Sequence, residues 1–130
     1  MKVYLGGPIY NVSRKEATTW RAKAREALEE MGIEVIDPNR RPYIPGNEEE
    51  IITKDLNEIS ECDILISYVP EDVAMAGTMM EIFFAAYTEK MPVYSFPDNS
   101  SPWVKYWSTE QFPTLEALIE FIESQKLQTS

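Results

Sequence analysis

The chain has 130 residues, room for one domain around one core, and its 44% apolar and 26% charged residues are proportions ordinary for a globular protein. Twelve Lys+Arg against 22 Asp+Glu leave a net charge of −10, a surface that repels phosphate backbones and so argues against a nucleic-acid polymer as partner. With no histidine and a single cysteine, Cys62, the chain has no imidazole-dependent mechanism, internal disulfide or Cys-rich metal cluster; acid–base work falls to carboxylates, Tyr or Lys, and neither metal nor cofactor is expected.

Residues 2–5 read as a short strand ending at Gly6-Gly7-Pro8. Over 13–31, Ala17, Trp20, Ala24, Leu28 and Met31 recur at spacings of three and four, the pattern of an amphipathic helix, with Gly32 as its stop. Residues 33–36 form a second buried strand closed by Asp37-Pro38, and 39–46, with prolines and Arg40-Arg41, read as a loop. A second helix is expected over 47–62, capped by Asn47, with Glu48, Glu49 and Glu50 in its positive first turn. Residues 63–69 carry the strongest strand signal, and a third helix runs from Gly77-Thr78 to Glu89.

A fourth strand over 92–96 is followed by a polar turn over 97–101 and a weak fifth strand within 105–112. The last helix spans 114–124 with Leu115, Leu118, Ile119 and Ile122 on one face. Residues 127–130 are expected to fray, leaving a single domain over 1–126. Residues 79–87, interrupted by Glu81, are too short to span a bilayer, and the N-terminus shows no signal-peptide core, so a cytoplasmic protein without a membrane partner is expected.

Alternating short apolar strands and helices predict an α/β fold, a flavodoxin-like three-layer sandwich on a mostly parallel five-stranded sheet. Ligands of such folds sit at the carboxyl ends of the strands, which directs the search to 6–10, 37–41, 70–81 and 97–103. Asp55 lies three and four positions after Ile52 and Ile51 and four before Ile59, so it points where the apolar face points. It is either a stripe-edge carboxylate with its head in water or an acid held in a cleft.

Glu81 stands in the most apolar helical run, and Thr78-Met79-Met80-Glu81 also fits a capping box. Two carboxylates converging on one cleft suit glycosyl chemistry, in which one attacks the anomeric carbon and another group serves the leaving group. Gly6-Gly7-Pro8 admits a ligand close to the backbone but is neither a dinucleotide fingerprint nor a P-loop. Arg40 and Arg41 are placed either to bind a phosphate or to pair with the acidic surface, and Cys62 reads as core.

Three segments together resemble the nucleoside 2-deoxyribosyltransferase family, whose superfamily includes N-glycosidases of nucleoside 5′-monophosphates. They are Tyr4-Leu5-Gly6-Gly7-Pro8-Ile9, Asp55-Leu56-Asn57-Glu58-Ile59 before Cys62-Asp63-Ile64-Leu65-Ile66, and Gly77-Thr78-Met79-Met80-Glu81-Ile82. The resemblance implies that Glu81 is the nucleophile that forms a glycosyl-enzyme intermediate, that Asp55 binds and helps protonate the base, and that Tyr4 touches the nucleophile. It implies that Gly6, Gly7, Pro8, Ile9, Gly77 and Thr78 line the sugar and phosphate region, with Arg40 a natural partner for a 5′-phosphate.

Asp72, nine positions before Glu81, is the nearest match to a second base-contacting aspartate. Asn99 lies near the place of an asparagine that the transferases lend to a neighbouring subunit. The implied substrate is a small nucleoside or nucleotide with a free base as acceptor, and the implied assembly is a homodimer or a dimer-based hexamer. Trp103, Tyr106 and Trp107 are candidate interface aromatics, or equally core. The rival reading on the same fold is a non-catalytic nucleotide-binding or signalling module.

Overall fold

A computed structural model describes residues 1–40 and 44–129. Five strands, β1 (Lys2–Gly6), β2 (Glu34–Ile36), β3 (Ile64–Tyr68), β4 (Val93–Phe96) and β5 (Glu110–Gln111), form one sheet in the order β2-β1-β3-β4-β5. All four pairings are parallel, a stricter arrangement than the mostly parallel sheet expected. The α-helices are α1 (Arg14–Glu30), α2 (Glu48–Ser60), α3 (Ala76–Phe83), α4 (Pro102–Trp107) and α5 (Leu115–Thr129).

Strand periodicity of two sorts the core into layers. Val3, Leu5, Ile64 and Ile66 pack on one face with Trp20, Ala24 and Leu28 of α1 and Leu115, Leu118 and Ile122 of α5. Tyr4, Leu65 and Val93 pack on the other with Ile59 of α2, Ile82 of α3 and Val104 of α4. The result is the three-layer sandwich, with α2, α3 and α4 on the face that carries Tyr4.

Several boundaries differ from expectation for identifiable reasons. Asn47 sits at the start of α2 but its side chain makes no capping hydrogen bond, whereas Ser13 caps α1 by accepting from the Glu16 amide. Thr78 is the third residue inside α3, which starts at Ala76 after Met75, so the capping box over 78–81 does not form and Glu81 stands in the second turn. After Phe83 the helix loosens into a π-helical turn, Phe84–Thr88. Gly32, at φ +78°, stops α1 in the left-handed backbone that glycine tolerates.

The segment carrying the three late aromatics is a short helix: Ser101 caps it and Pro102 fills its first position. Trp103 and Tyr106 are 68% and 77% exposed, which removes the core reading for both. The last helix continues to Thr129, through the residues 127–129 expected to fray. Leu65 is fully buried in the central strand. Leu65→Ala is predicted to cost about 2–5 kcal/mol of stability, read as a lowered urea midpoint with little change in slope.

Candidate active site

The strand order reverses between β1 and β3, so the loops leaving their carboxyl ends diverge and open a crevice. On the α2/α3 side it becomes a cavity of about 630 Å³. The loop after β1 supplies Gly7, Pro8, Ile9, Tyr10 and Asn11 as one wall. From α2 come Ile52, Asp55 and Leu56, a spacing of three and four that places them on one helical face. The opposite wall comes from α3 and its π-helical extension and includes Gly77, Thr78, Met80, Glu81, Phe84 and Thr88.

Glu81 and Asp55 thus line the same cavity from two helices. They are its two charged lining groups among the described residues. The Tyr4 hydroxyl, carried on the fully buried third residue of β1, donates a 2.8 Å hydrogen bond to Glu81 Oε2. Donation to one oxygen orients the carboxylate, and Glu81 Oε1 lies 3.4 Å from the place a Cβ on Gly6 would occupy. Glycine at position 6 therefore leaves room for the carboxylate against the strand. Across the cavity rim, Asn11 Nδ2 donates to the Ala74 carbonyl at 2.7 Å and ties the loop after β1 to the loop after β3.

The other expected site residues divide. Gly7, Pro8, Ile9, Gly77 and Thr78 line the cavity, and Gly6 stands behind its wall beside Glu81. Asp72 and Asn99 do not join them within the chain. They line an adjacent cavity of about 590 Å³ on the other side of the start of α3, together with Trp103 and Trp107. Asn99 is 4% exposed and its groups serve the backbone: Nδ2 donates to the Val69 carbonyl, Oδ1 accepts from the Ser101 amide, and its own amide donates to Gln111 Oε1. The side chain of Arg40, and Arg41 entirely, lie outside the described residues.

Sequence reasoning missed Asn11, Ile52, Phe84 and Thr88 as lining residues. The helical ones were detectable in principle, because Ile52 stands three before Asp55, and Phe84 and Thr88 stand three and seven after Glu81. Cys62 is a buried thiol at the foot of β3, away from this cavity, and burial pushes its pKa up to about 12. Tyr68 is raised to about 12 by burial and then by its hydrogen bond to Glu16.

Both groups keep their protons in the folded chain at pH values where the unfolded chain, with ordinary values of 9.0 and 10.0, has lost them. The folded state then binds more protons, so stability is predicted to fall as pH rises from about 9 to about 12. Urea midpoints measured across that window check the sign, and Cys62→Ala should flatten part of the slope.

No curated protein sequence matches the chain significantly. Among solved structures, a 2-deoxyribosyltransferase from Bacillus psychrosaccharolyticus superposes with a TM-score of 0.71 at 22% identity, covering 92% of this chain and 90% of that one. A conserved protein from Enterococcus faecalis V583 gives 0.76 at 16% identity, over 96% and 98% of the two chains. The CMP N-glycosidase of Clostridium botulinum gives 0.65 at 17% identity, over 95% and 99%. At these identities the likeness establishes the fold. The family model for nucleoside 2-deoxyribosyltransferase-like proteins matches residues 1–99, a span that holds Tyr4, Asp55 and Glu81. This chain belongs to the nucleoside 2-deoxyribosyltransferase-like family.

Proposed function

We propose that the protein cleaves the N-glycosidic bond of 2′-deoxyribonucleosides or their 5′-monophosphates, passing the deoxyribosyl group to another base or to water. The observation that carries this reading is two carboxylates on one cavity, one of them oriented by a buried tyrosine. Glu81 attacks C1′ as the bond to the base nitrogen breaks; the electron pair leaves with the base, and Asp55 assists its departure with a proton. The transition state is oxocarbenium-like and the product is an ester between Glu81 and C1′. An incoming base nitrogen or a water oxygen then attacks C1′, loses its proton to the site, and frees the Glu81 carboxylate.

The tyrosine serves this sequence by orientation. Its hydrogen bond holds one carboxylate oxygen in place, so the orientation of the carboxylate is set before substrate arrives. Apolar lining from Ile52, Leu56, Met80 and Phe84 suits a flat base and limits access of water to the intermediate.

The functional unit is a homodimer or an assembly of dimers. Supporting it, Phe83, Tyr87, Trp103 and Tyr106 expose large apolar surfaces around the half-buried Trp107, next to the two cavities. Such a patch on a small domain marks an interaction surface. Size-exclusion chromatography with light scattering is expected to show a species larger than the 15.0 kDa chain, and Trp103→Glu should shift it toward the monomer.

The activity is tested by chromatography of each deoxynucleoside and its 5′-monophosphate incubated with the protein, with and without a free base as acceptor. A new nucleoside formed only with acceptor marks transfer, and free base released without it marks hydrolysis. Glu81→Gln is predicted to lower turnover by about a thousandfold or more. Asp55→Asn should lower it by about a hundredfold or more, and Tyr4→Phe by about ten- to a hundredfold. Absence of cleavage with every substrate would leave the nucleotide-binding module as the better account.

A further inference from the structure

Arg21 of α1 is a charged side chain only 1% exposed, and the chemistry just described does not use it. Its guanidinium crosses from the α1 layer to the carboxyl end of β1. There Nη1 donates to the Leu5 carbonyl at 3.0 Å and Nη2 to the Gly7 carbonyl at 2.9 Å. Those two carbonyls flank Gly6, the residue against which Glu81 rests. Nη1 also donates to Asp37 Oδ1 at 2.8 Å, and Asp37 in turn accepts from Arg25 Nη2 at 2.8 Å and from the Asn39 amide at 3.0 Å. One guanidinium therefore joins the loop after β1 to the turn after β2.

The position of this cluster follows from the sheet. The last pairing between β1 and β2 is Tyr4 with Ile36, so the backbone of β1 beyond Tyr4 has outrun its neighbour on that side. Arg21 supplies donors where the ladder stops, in the fixed fork that a lysine lacks. The rest of the loop's anchorage is equally tight. A Cβ at Gly7 would lie 2.9 Å from Trp20 Cζ2 and 3.1 Å from Tyr68 Cβ, so residue 7 is seated against α1 and β3 with no space to spare.

A buried cation is costly to keep, and hydrophobic residues of similar size often serve stability as well or better. What Arg21 adds is two directional bonds to the backbone of the cavity wall. We propose that Arg21, backed by Asp37, is a positioning residue: it holds the Gly6–Ile9 wall at its working distance from Glu81. The proposal rests on the reading of Glu81 as nucleophile, because Glu81 rests against Gly6 and a wall displaced by a fraction of an ångström moves the surface that seats the attacking carboxylate.

The test compares wild type with Arg21→Lys, Arg21→Met and Arg21→Ala, keeping Arg25 to satisfy Asp37, and uses folded protein verified by thermal melts. Steady-state cleavage of the best deoxynucleoside should show kcat lowered about ten- to a hundredfold in Arg21→Met with KM changed less than about threefold. Arg21→Lys should retain more activity than Arg21→Met, and added guanidinium at non-denaturing concentration should restore part of the kcat of Arg21→Ala while urea does not. Crystal structures of the same variants, independent of activity, should show residues 6–9 moved relative to Glu81 with the sheet unchanged.

Wild-type kcat and an unmoved wall in folded Arg21→Met would overturn the proposal, as would losses that track only the unfolded fraction. If wild type cleaves no nucleoside, the catalytic reading fails by itself. The variant structures then decide separately whether Arg21 positions the wall.

Discussion

The hydrogen bond from Tyr4 to Glu81 joins the central sheet to the helix that walls the cavity, and the rest of the site is arranged around it. A carboxylate brought against a sheet loses part of its hydration, a cost that a directed hydroxyl donor offsets. The bond forms only because three independent features coincide. Strand periodicity turns Tyr4 toward the α2/α3 layer, α3 begins at Ala76 so that Glu81 falls on its inward face, and Gly6 lacks the side chain that would crowd the carboxylate.

The two faces of the sheet divide the labour. On the α1/α5 face, Val3, Leu5, Ile66, Phe96 and the aliphatic stripe of α5 form a continuous core. That face also contains the Arg21–Asp37–Arg25 cluster, which fastens the carboxyl ends of β1 and β2. The α2/α3/α4 face has its own core around Tyr4, Leu65 and Ile82, and beside it keeps an open cavity and a set of exposed aromatics. The loop after β1 belongs to both: its back is seated against Trp20 and Tyr68, and its front is cavity wall.

Much of this was legible in the residues. Apolar strands alternating with amphipathic helices can bury their faces only as a layered parallel sheet, and the switch in strand order then locates the crevice. Asp55 betrayed itself as a carboxylate on an apolar stripe, and Glu81 as one in an apolar helix. What misled was local pattern without context. Thr78-Met79-Met80-Glu81 has the form of a capping box, but the helix had already begun two residues earlier at Ala76, burying Thr78. Asn47 has the right chemistry for a cap and the wrong backbone, with φ −112° and ψ 26°.

The placements least legible in the residues were long-range ones. Nothing near Asn99 in sequence shows that its amide is consumed by Val69, thirty residues away, or that Asp72 faces the neighbouring cavity. Arg21 escaped for a similar reason. An arginine in a helix reads as surface, and only the tertiary arrangement reveals that its partners are a carbonyl of β1, a carbonyl of the loop after it and an aspartate sixteen residues on.

The most direct measurement of the central claim is to quench the protein during turnover of a 2′-deoxyribonucleoside in acid, digest it and map covalent adducts by mass spectrometry. The account predicts a deoxyribosyl ester on the peptide containing Glu81, fragmenting to that side chain and absent in Glu81→Gln. Turnover with an adduct on another residue, or sustained turnover by Glu81→Gln, would contradict it.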